Sequence, residues 1–273
     1  FLASNLNLPR LWLKHSHLLV YRSSSVRAVK VTVVIPTFNE IENIDALMRA
    51  VRESLPDADL LVVDDNSPDG TGKLAEETAT ELGRAKVMHR PGKEGLGTAY
   101  RDAFKHVLSG DSDVIVTMDA DFSHDPKTIP SFLRAIENGA EIVVGSRYIK
   151  NGMSVNWPIH RLLLSKWGNR YTAFMLKLKV HDCTTGFRAY TTRSMRKIEI
   201  LKTVSQGYAF ASETIFRASM RGEKNIVEVP IIFNDRKYGT SKMNARIIRE
   251  SMLLVTRWGI ALRTGIGRKH LPR

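Results

Sequence analysis

Cysteine is nearly missing from this 273-residue chain, with Cys183 its sole example. That excludes a disulfide framework and a thiolate-built zinc site, and it fits a reducing, cytosol-facing compartment. Long apolar runs are missing too: no stretch reaches about eighteen residues without a charge, so no membrane span is self-evident. The best candidates, Phe1 to Val20 and Ser251 to Leu262, are broken by Arg10 and Lys14 and by Arg257. Acids are under-supplied, 28 against 41 Lys and Arg, which leaves a formal net charge of +13. Such a surface favours polyanions: nucleic acid, anionic lipid headgroups or phosphorylated small molecules. Charge alone does not choose among them. Proline and glycine are scattered, and there are no internal repeats or low-complexity segments, which excludes collagen-like and linker-dominated chains. Because the chain begins at Phe1 and not at Met, it is expected to be a processed product or part of something longer.

What is present is ordinary globular material, 43% hydrophobic and 25% charged, enough for one sizeable core. Residues 1–30 lack a period and end in a polar, basic run, which predicts a tail or linker, one that could lie on a membrane. The pattern changes at Val31-Thr-Val-Val-Ile35, a β-branched run stopped by Pro36 and suited to a strand buried on both faces. Helical spacing follows over Ile41 to Leu55, with Asn39 as its expected cap and Glu40 and Glu42 near the positive end of the dipole. The alternation repeats. Strands are predicted at Leu60–Val63, Ala85–Met88, Val114–Met118 and Ile142–Val144, and helices at Gly72–Leu82, Leu96–Leu108 and Ile129–Glu137. This rhythm argues for a mostly parallel α/β sheet covered by helices on both faces. Later strands are expected at Phe187–Thr191 and Ile226–Phe233, before a basic C-terminal helix or tail over 246–273.

In an open parallel sheet, ligands bind beyond the carboxyl ends of the strands. Three strand ends carry polar clusters: Pro36-Thr-Phe-Asn-Glu40, Asp64-Asp-Asn-Ser-Pro-Asp-Gly70 and Asp119-Ala-Asp-Phe-Ser123. Any one of them reads equally as a turn; three at one sheet edge point to a site. Asp119 and Asp121 repel one another unless something positive lies between them. A divalent hard cation that keeps positions open for phosphate oxygens meets that need, whereas a solvated pair of loop acids is the plainer alternative. Gly70-Thr-Gly-Lys73 is not a Walker loop, and Gly92-Lys-Glu-Gly-Leu-Gly97 has the wrong order for a dinucleotide fingerprint. The latter opens the Leu96 helix, whose free N–H groups could face an anion.

The segment 157–180 is different in kind. Leu163, Trp167, Tyr171, Phe174 and Leu178 recur at helical spacing, while Arg161, Lys166, Arg170, Lys177 and Lys179 carry only positive charge. An amphipathic helix of that composition suits the plane of an anionic membrane; a helix packed on the core with a solvated basic face is the competing reading. Further on, Arg236 and Lys242 flank a glycine turn at Gly239 and could close over a phosphate.

Taken in order, six stretches resemble the family-2 glycosyltransferases of the GT-A fold, and more narrowly the polyprenol-phosphate (dolichol-phosphate) mannose synthases. They are Val33-Val-Ile-Pro-Thr-Phe-Asn-Glu40, Val62-Val-Asp-Asp-Asn-Ser-Pro-Asp-Gly70, Met118-Asp-Ala-Asp121, Gly145-Ser-Arg-Tyr148, Asp182-Cys-Thr-Thr-Gly-Phe-Arg188 and Arg236-x-x-Gly239-x-Ser-Lys242. The likeness covers 31–245 and looks closest to actinobacterial members, some of which are joined to an upstream membrane domain. It implies a GT-A catalytic domain over 31–245, with membrane-interface helices at 157–180. It also implies an inverting enzyme that moves mannose from GDP-mannose to a polyprenyl phosphate, working peripherally at the cytoplasmic face of the cell membrane. By resemblance, Pro36, Phe38, Glu40 and Asp65 hold the nucleotide base and ribose, and Asp119 and Asp121 bind Mg²⁺ or Mn²⁺ with the diphosphate. Arg147, Arg161, Arg236 and Lys242 hold diphosphate or the incoming lipid phosphate. Phe38 stands where Tyr is common, and Ser123 stands where a Gln often completes the metal site.

Three other readings compete. UDP-glucose could replace GDP-mannose as donor. A phosphohydrolase could use Asp119 as nucleophile and Asp121 as acid, although that chemistry usually places its pair on the first strand. A nucleic-acid-binding module is motivated by the net charge, but Trp157, Trp167 and Tyr171 suit lipid better than stacked bases.

Overall fold

The computed structural model describes residues 29–235, 245–267 and 271–272. Most of the expected 1–30 tail therefore lies outside the described residues, as do Arg236 and Lys242. β1 (Val31–Thr37) is followed by α1 (Ile44–Ser54), β2 (Asp59–Asp64), α2 (Thr71–Leu82), β3 (Ala85–His89), α3 (Leu96–Leu108) and β4 (Val114–Thr117). One 3-10 turn (Pro126–Thr128) leads into α4 (Ile129–Glu137), β5 (Ile142–Ser146), β6 (Met153–Ser154) and the long α5 (Ile159–Leu176). Then come β7 (Arg188–Thr191), α6 (Thr192–Lys197), α7 (Gly207–Met220), β8 (Ile226–Pro230), β9 (Ile232–Phe233) and α8 (Ala245–Thr264).

The main sheet has seven strands in the order β3-β2-β1-β4-β7-β5-β8. All run parallel except β7, which lies antiparallel between β4 and β5. Strand alternation explains the continuous apolar runs. Val33 and Ile35 of β1 point into a cluster with Ile44, Leu47 and Phe132, beneath α1 and α4. Val34, between them, points the other way, into a cluster with Tyr100, Phe104 and Ile215 of α3 and α7. Each fully buried Val or Ile contributes on the order of 1.5–3 kcal/mol by leaving water. A third cluster joins Leu176 of α5, Phe216 of α7 and Val255, Trp258 and Ala261 of α8. The basic C-terminal segment is thus a packed helix at least through Thr264.

Several local expectations differ from the structure. Asn39 is not a helix cap: its backbone is left-handed (φ 54), and α1 begins only after Asn43. The run at 226–233 is two strands, because Ile231 separates β8, paired with β5, from β9, paired with β6. The interface segment contains one helix, Ile159–Leu176, shorter than 157–180.

Candidate active site

The register Thr37↔Asp64 brings the loops after β1 and β2 side by side. Left-handed Asn39 and Asn66 (φ 57) turn the two chains there, a conformation Asn tolerates better than most residues. Polar bonds then tie one loop to the other. The Glu40 N–H donates to Thr71 Oγ1 (2.9 Å), and Asp69 accepts from the N–H of both Thr71 (3.0 Å) and Ile41 (3.3 Å). Pro36, Phe38, Glu40 and Asp65 all line one cavity of about 710 Å³. Lys93 lines it as well, its ammonium 4.1 Å from the centre of the Phe38 ring. Asp65 is buried against the buried guanidinium of Arg90, which also bonds Asp102 (2.8 Å) and Glu94 (3.2 Å). Burial pushes the Asp65 carboxyl up from its ordinary value despite that cation.

Asp119 and Asp121 follow β4 in a turn that the chain holds from within. The Asp119 N–H donates to His124 Nδ1 (3.1 Å), and the Ser123 N–H donates to Asp121 Oδ1 (3.1 Å). His124 is buried, stacked on Phe187 (centroids 4.8 Å apart) and edge-on to Phe233 (5.4 Å). Burial holds it below the ordinary histidine range. It is therefore a neutral ring whose Nδ1 accepts, and the proton is assigned to Nε2 by that bond. His124 Nε2 and Ser123 Oγ are buried polar atoms without a hydrogen-bond partner among the described residues.

A second cavity, of about 180 Å³, also borders the aspartate pair. Asp119, Asp121 and Thr184–Gly186 line both cavities, so the two meet at the carboxylates. Ser123, Arg147 and Arg161 line the second one. Arg147 is held there by the fully buried Asp182, which accepts from Nε (2.7 Å), Nη2 (2.8 Å) and the Arg147 N–H (3.1 Å). Burial alone would raise the Asp182 carboxyl; the Arg147 charge and its hydrogen bonds win, holding it below its ordinary value. Arg161 pairs with Asp235 (3.0 Å) and lies 4.0 Å over the Trp157 ring. Thus the described members of the expected site, Pro36, Phe38, Glu40, Asp65, Asp119, Asp121, Ser123, Arg147 and Arg161, converge on two adjoining cavities.

Sequence reasoning did not assign roles to Lys93, His124, Asp182 or Thr184. The spacing Asp119-x-Asp121-x-x-His124 and the polar run Asp182–Gly186 were the available signals. The N-terminus of α3 borders the larger cavity through Gly95 and Leu96, and Gln206 packs beside it, its Oε1 accepting from the Thr98 N–H (3.2 Å) and its Nε2 donating to Thr98 Oγ1 (2.7 Å).

The long helix α5 borders the second cavity with an inverted pattern. Its buried residues are Asn169, Thr172 and Leu176, whereas Leu163, Trp167 and Phe174 are 59%, 55% and 70% exposed. Tyr171 and Leu178, of the same apolar series, pack inward instead. α8 braces α5, with Tyr171 and Thr256 sharing a hydroxyl bond (2.6 Å) and the Arg263 guanidinium reaching the carbonyls of Phe174 and Met175 at the C-terminal end of α5. Among the described residues no helix is long and apolar enough to cross a membrane.

Comparison with known proteins agrees with this geometry. Residues 32–199 match the model of "Glycosyl transferase family 2". An undecaprenyl-phosphate mannosyltransferase of Micrococcus luteus is 44% identical over 86% of this chain and 96% of its own. A polyprenol monophosphomannose synthase of Mycolicibacterium smegmatis is 45% identical over 84% of this chain and 86% of its own. Among solved structures, glucosyl-3-phosphoglycerate synthase from Mycobacterium tuberculosis, in complex with Mn²⁺, UDP and phosphoglyceric acid, superposes with a TM-score of 0.61. It shares 18% identity over 88% of this chain and 80% of that one, a likeness of fold. With two adjoining cavities meeting at an Asp-x-Asp turn, a mostly parallel sheet interrupted by β7, and these relatives, the chain belongs to glycosyl transferase family 2.

Proposed function

We propose that the chain transfers a mannosyl residue from GDP-mannose to a polyprenyl phosphate, giving a polyprenyl β-mannosyl phosphate. The observation that carries the reading is the meeting of two cavities at Asp119 and Asp121. The larger has the size of a nucleotide-sugar site, and the smaller is bordered by Arg147, Arg161 and the apolar Leu164 and Trp167 of α5, the surroundings an isoprenoid phosphate needs. The activities named for the two relatives at 44% and 45% identity point the same way. Family membership sets aside the phosphohydrolase and nucleic-acid readings.

The donor set fits a small hard cation. Two carboxylates stand at one strand end, and a buried hydroxyl, Ser123 Oγ, has no partner among the described residues. No third acid, His or Cys joins them among the described residues. This suits an ion of the Mg²⁺ type, which binds one or two carboxylates and fills its remaining positions with phosphate oxygens and water. Asp119 and Asp121 would hold it, with Ser123 alongside. When bound, Mg²⁺ or Mn²⁺ supplies positive charge against the departing diphosphate.

The protein's own part is to bring two anions together and orient them. A phosphate monoester has its second pKa near 6, so the acceptor oxygen is already a nucleophile at neutral pH and needs no strong general base. Arg147 and Arg161 offset its charge beside the reacting centre, in a site whose dipoles are already aligned. A single displacement inverts the anomeric carbon, which gives the β-linked product from an α-linked donor. The exposed apolar residues of α5, with Lys166 and Arg170 beside them, rest on the cytoplasmic face of the cell membrane. The test is transfer of radiolabelled sugar from a panel of nucleotide donors to a polyprenyl phosphate, with and without EDTA. GDP-mannose alone should serve, and only without EDTA; preference for UDP-glucose would replace the sugar assignment.

A further inference from the structure

Asn169 is a polar residue at the centre of the inner face of α5, 1% exposed, a position that an amphipathic helix normally gives to an aliphatic side chain. Its amide is fully engaged. Oδ1 accepts from the Cys183 N–H (2.7 Å), while Nδ2 donates to the Ser165 carbonyl (2.9 Å) and to Thr184 Oγ1 (3.2 Å). Thr184 Oγ1 also accepts from Arg147 Nη2 (2.9 Å). Asp182, which holds the rest of the Arg147 fork, lies in the same short turn and bonds the Thr185 N–H (3.2 Å). The chain of contacts runs from Asn169 through the 182–185 turn to the guanidinium, and Asn169, Thr184 and Arg147 all line the smaller cavity.

We propose that Asn169 is a positioning residue that fixes Arg147 at the acceptor-phosphate cavity by clamping the 182–185 turn onto α5. This rests on the proposed assignment of that cavity to the lipid phosphate. The physical basis is the sensitivity of phosphate recognition to guanidinium geometry: a planar fork binds well only when its direction is set. Arg147 pairs with the carboxylate of Asp182, on a turn with no regular secondary structure of its own. Without the amide of Asn169, the Cys183 N–H and Thr184 Oγ1 lose their tie to α5, and the turn carries Arg147 with it when it shifts. The same helix exposes Phe174, and Trp167 where it lines this cavity, so the clamp sets the guanidinium relative to the surface on which α5 rests.

The experiment measures binding of a short, water-soluble isoprenyl phosphate by calorimetry and steady-state transfer with saturating donor, for the wild type, Asn169→Ala, Thr184→Val, Arg147→Ala and the Asn169→Ala/Arg147→Ala double variant. Expected is an acceptor Kd and KM about tenfold weaker in Asn169→Ala, with the donor KM within twofold of wild type. Thr184→Val, which removes the hydroxyl shared by Asn169 and Arg147, gives the same loss and serves should Asn169→Ala fail to fold. In the Arg147→Ala background, Asn169→Ala adds less than a twofold further loss, because its effect passes through Arg147. Multiplying losses in the double variant, or unchanged acceptor affinity in both Asn169→Ala and Thr184→Val, would overturn the inference. A wild type that binds the phosphate yet transfers only glucose would overturn the mannose assignment and leave this inference standing. A wild type that binds no isoprenyl phosphate removes both.

Discussion

Replacing Asp182 by Asn tests the internal logic of the acceptor cavity without relying on turnover. Asp182 and the Arg147 side chain are 0% and 6% exposed, and the carboxylate accepts two guanidinium bonds and the Arg147 N–H, with the Thr185 N–H at 3.2 Å. Asn keeps the shape and one acceptor, but it turns the second oxygen into a donor aimed at a cation. The guanidinium then remains buried beside a neutral group, and breaking a buried pair from one side costs about 3–5 kcal/mol. Typical total stabilities are about 5–15 kcal/mol, so the loss is large enough to read directly from urea unfolding followed by tryptophan fluorescence. Its pH dependence follows from the depressed carboxyl of Asp182. A group whose folded pKa lies below its unfolded value stabilises fully above the unfolded value, about 3.9, and loses that contribution as the pH falls toward the folded one. The gap between wild type and Asp182→Asn should therefore be constant from pH 7 to about pH 5 and narrow below about pH 4. A gap under about 1 kcal/mol at pH 7, or one that widens on acidification, would refute the reasoning.

Two other perturbations address different parts of the molecule. A Cβ on Gly97 would lie 2.2 Å from the Ser205 carbonyl oxygen, so Gly97→Ala must push α3 from the loop that precedes α7; a loss of about 1–3 kcal/mol in urea unfolding is expected, and unchanged stability would contradict the packing described. Trp167→Glu with Phe174→Glu alters two exposed residues of α5. It should leave stability within about 0.5 kcal/mol and cut co-sedimentation with anionic vesicles at least tenfold; retained vesicle binding would remove α5 from the membrane contact.

Much of the architecture was readable from periodicity because the physics there is local. β-branched runs such as Val31–Ile35 have both faces buried, and α3 and α4 have the boundaries their spacing indicates. The order of strands was not readable, since nothing in Arg188–Thr191 announces that it will insert antiparallel between β4 and β5. α7 went unrecognised for a similar reason. Its inner face buries Ser212, Glu213, Thr214 and Arg217, so its polar letters disguise a core helix. Glu213 stands there because it accepts from the N–H groups of Val204 and Ser205.

The candidate site divides along the same line. Residues at strand ends, Phe38, Asp65, Asp119 and Asp121, could be found because the sheet places every such end at one edge. Those supplied by tertiary contact could not. His124 matters through the Asp119 backbone and Asp182 through Arg147, and Asn169 sits on the buried face of α5, across from the apolar stripe that the spacing shows. Gln206, which accepts from the Thr98 N–H at the start of α3, is more than a hundred residues away, so the residues around Gly92–Gly97 do not announce it.

The most direct test of the whole account is single-turnover transfer by Asp121→Asn, a change at the junction of the two cavities that conserves shape. Asp121→Asn should give an unfolding curve matching wild type and a rate of mannosyl transfer lower by at least about 10³, the scale of losing one preorganised charge at a reacting centre. A correctly folded Asp121→Asn that transfers sugar at the wild-type rate would contradict it.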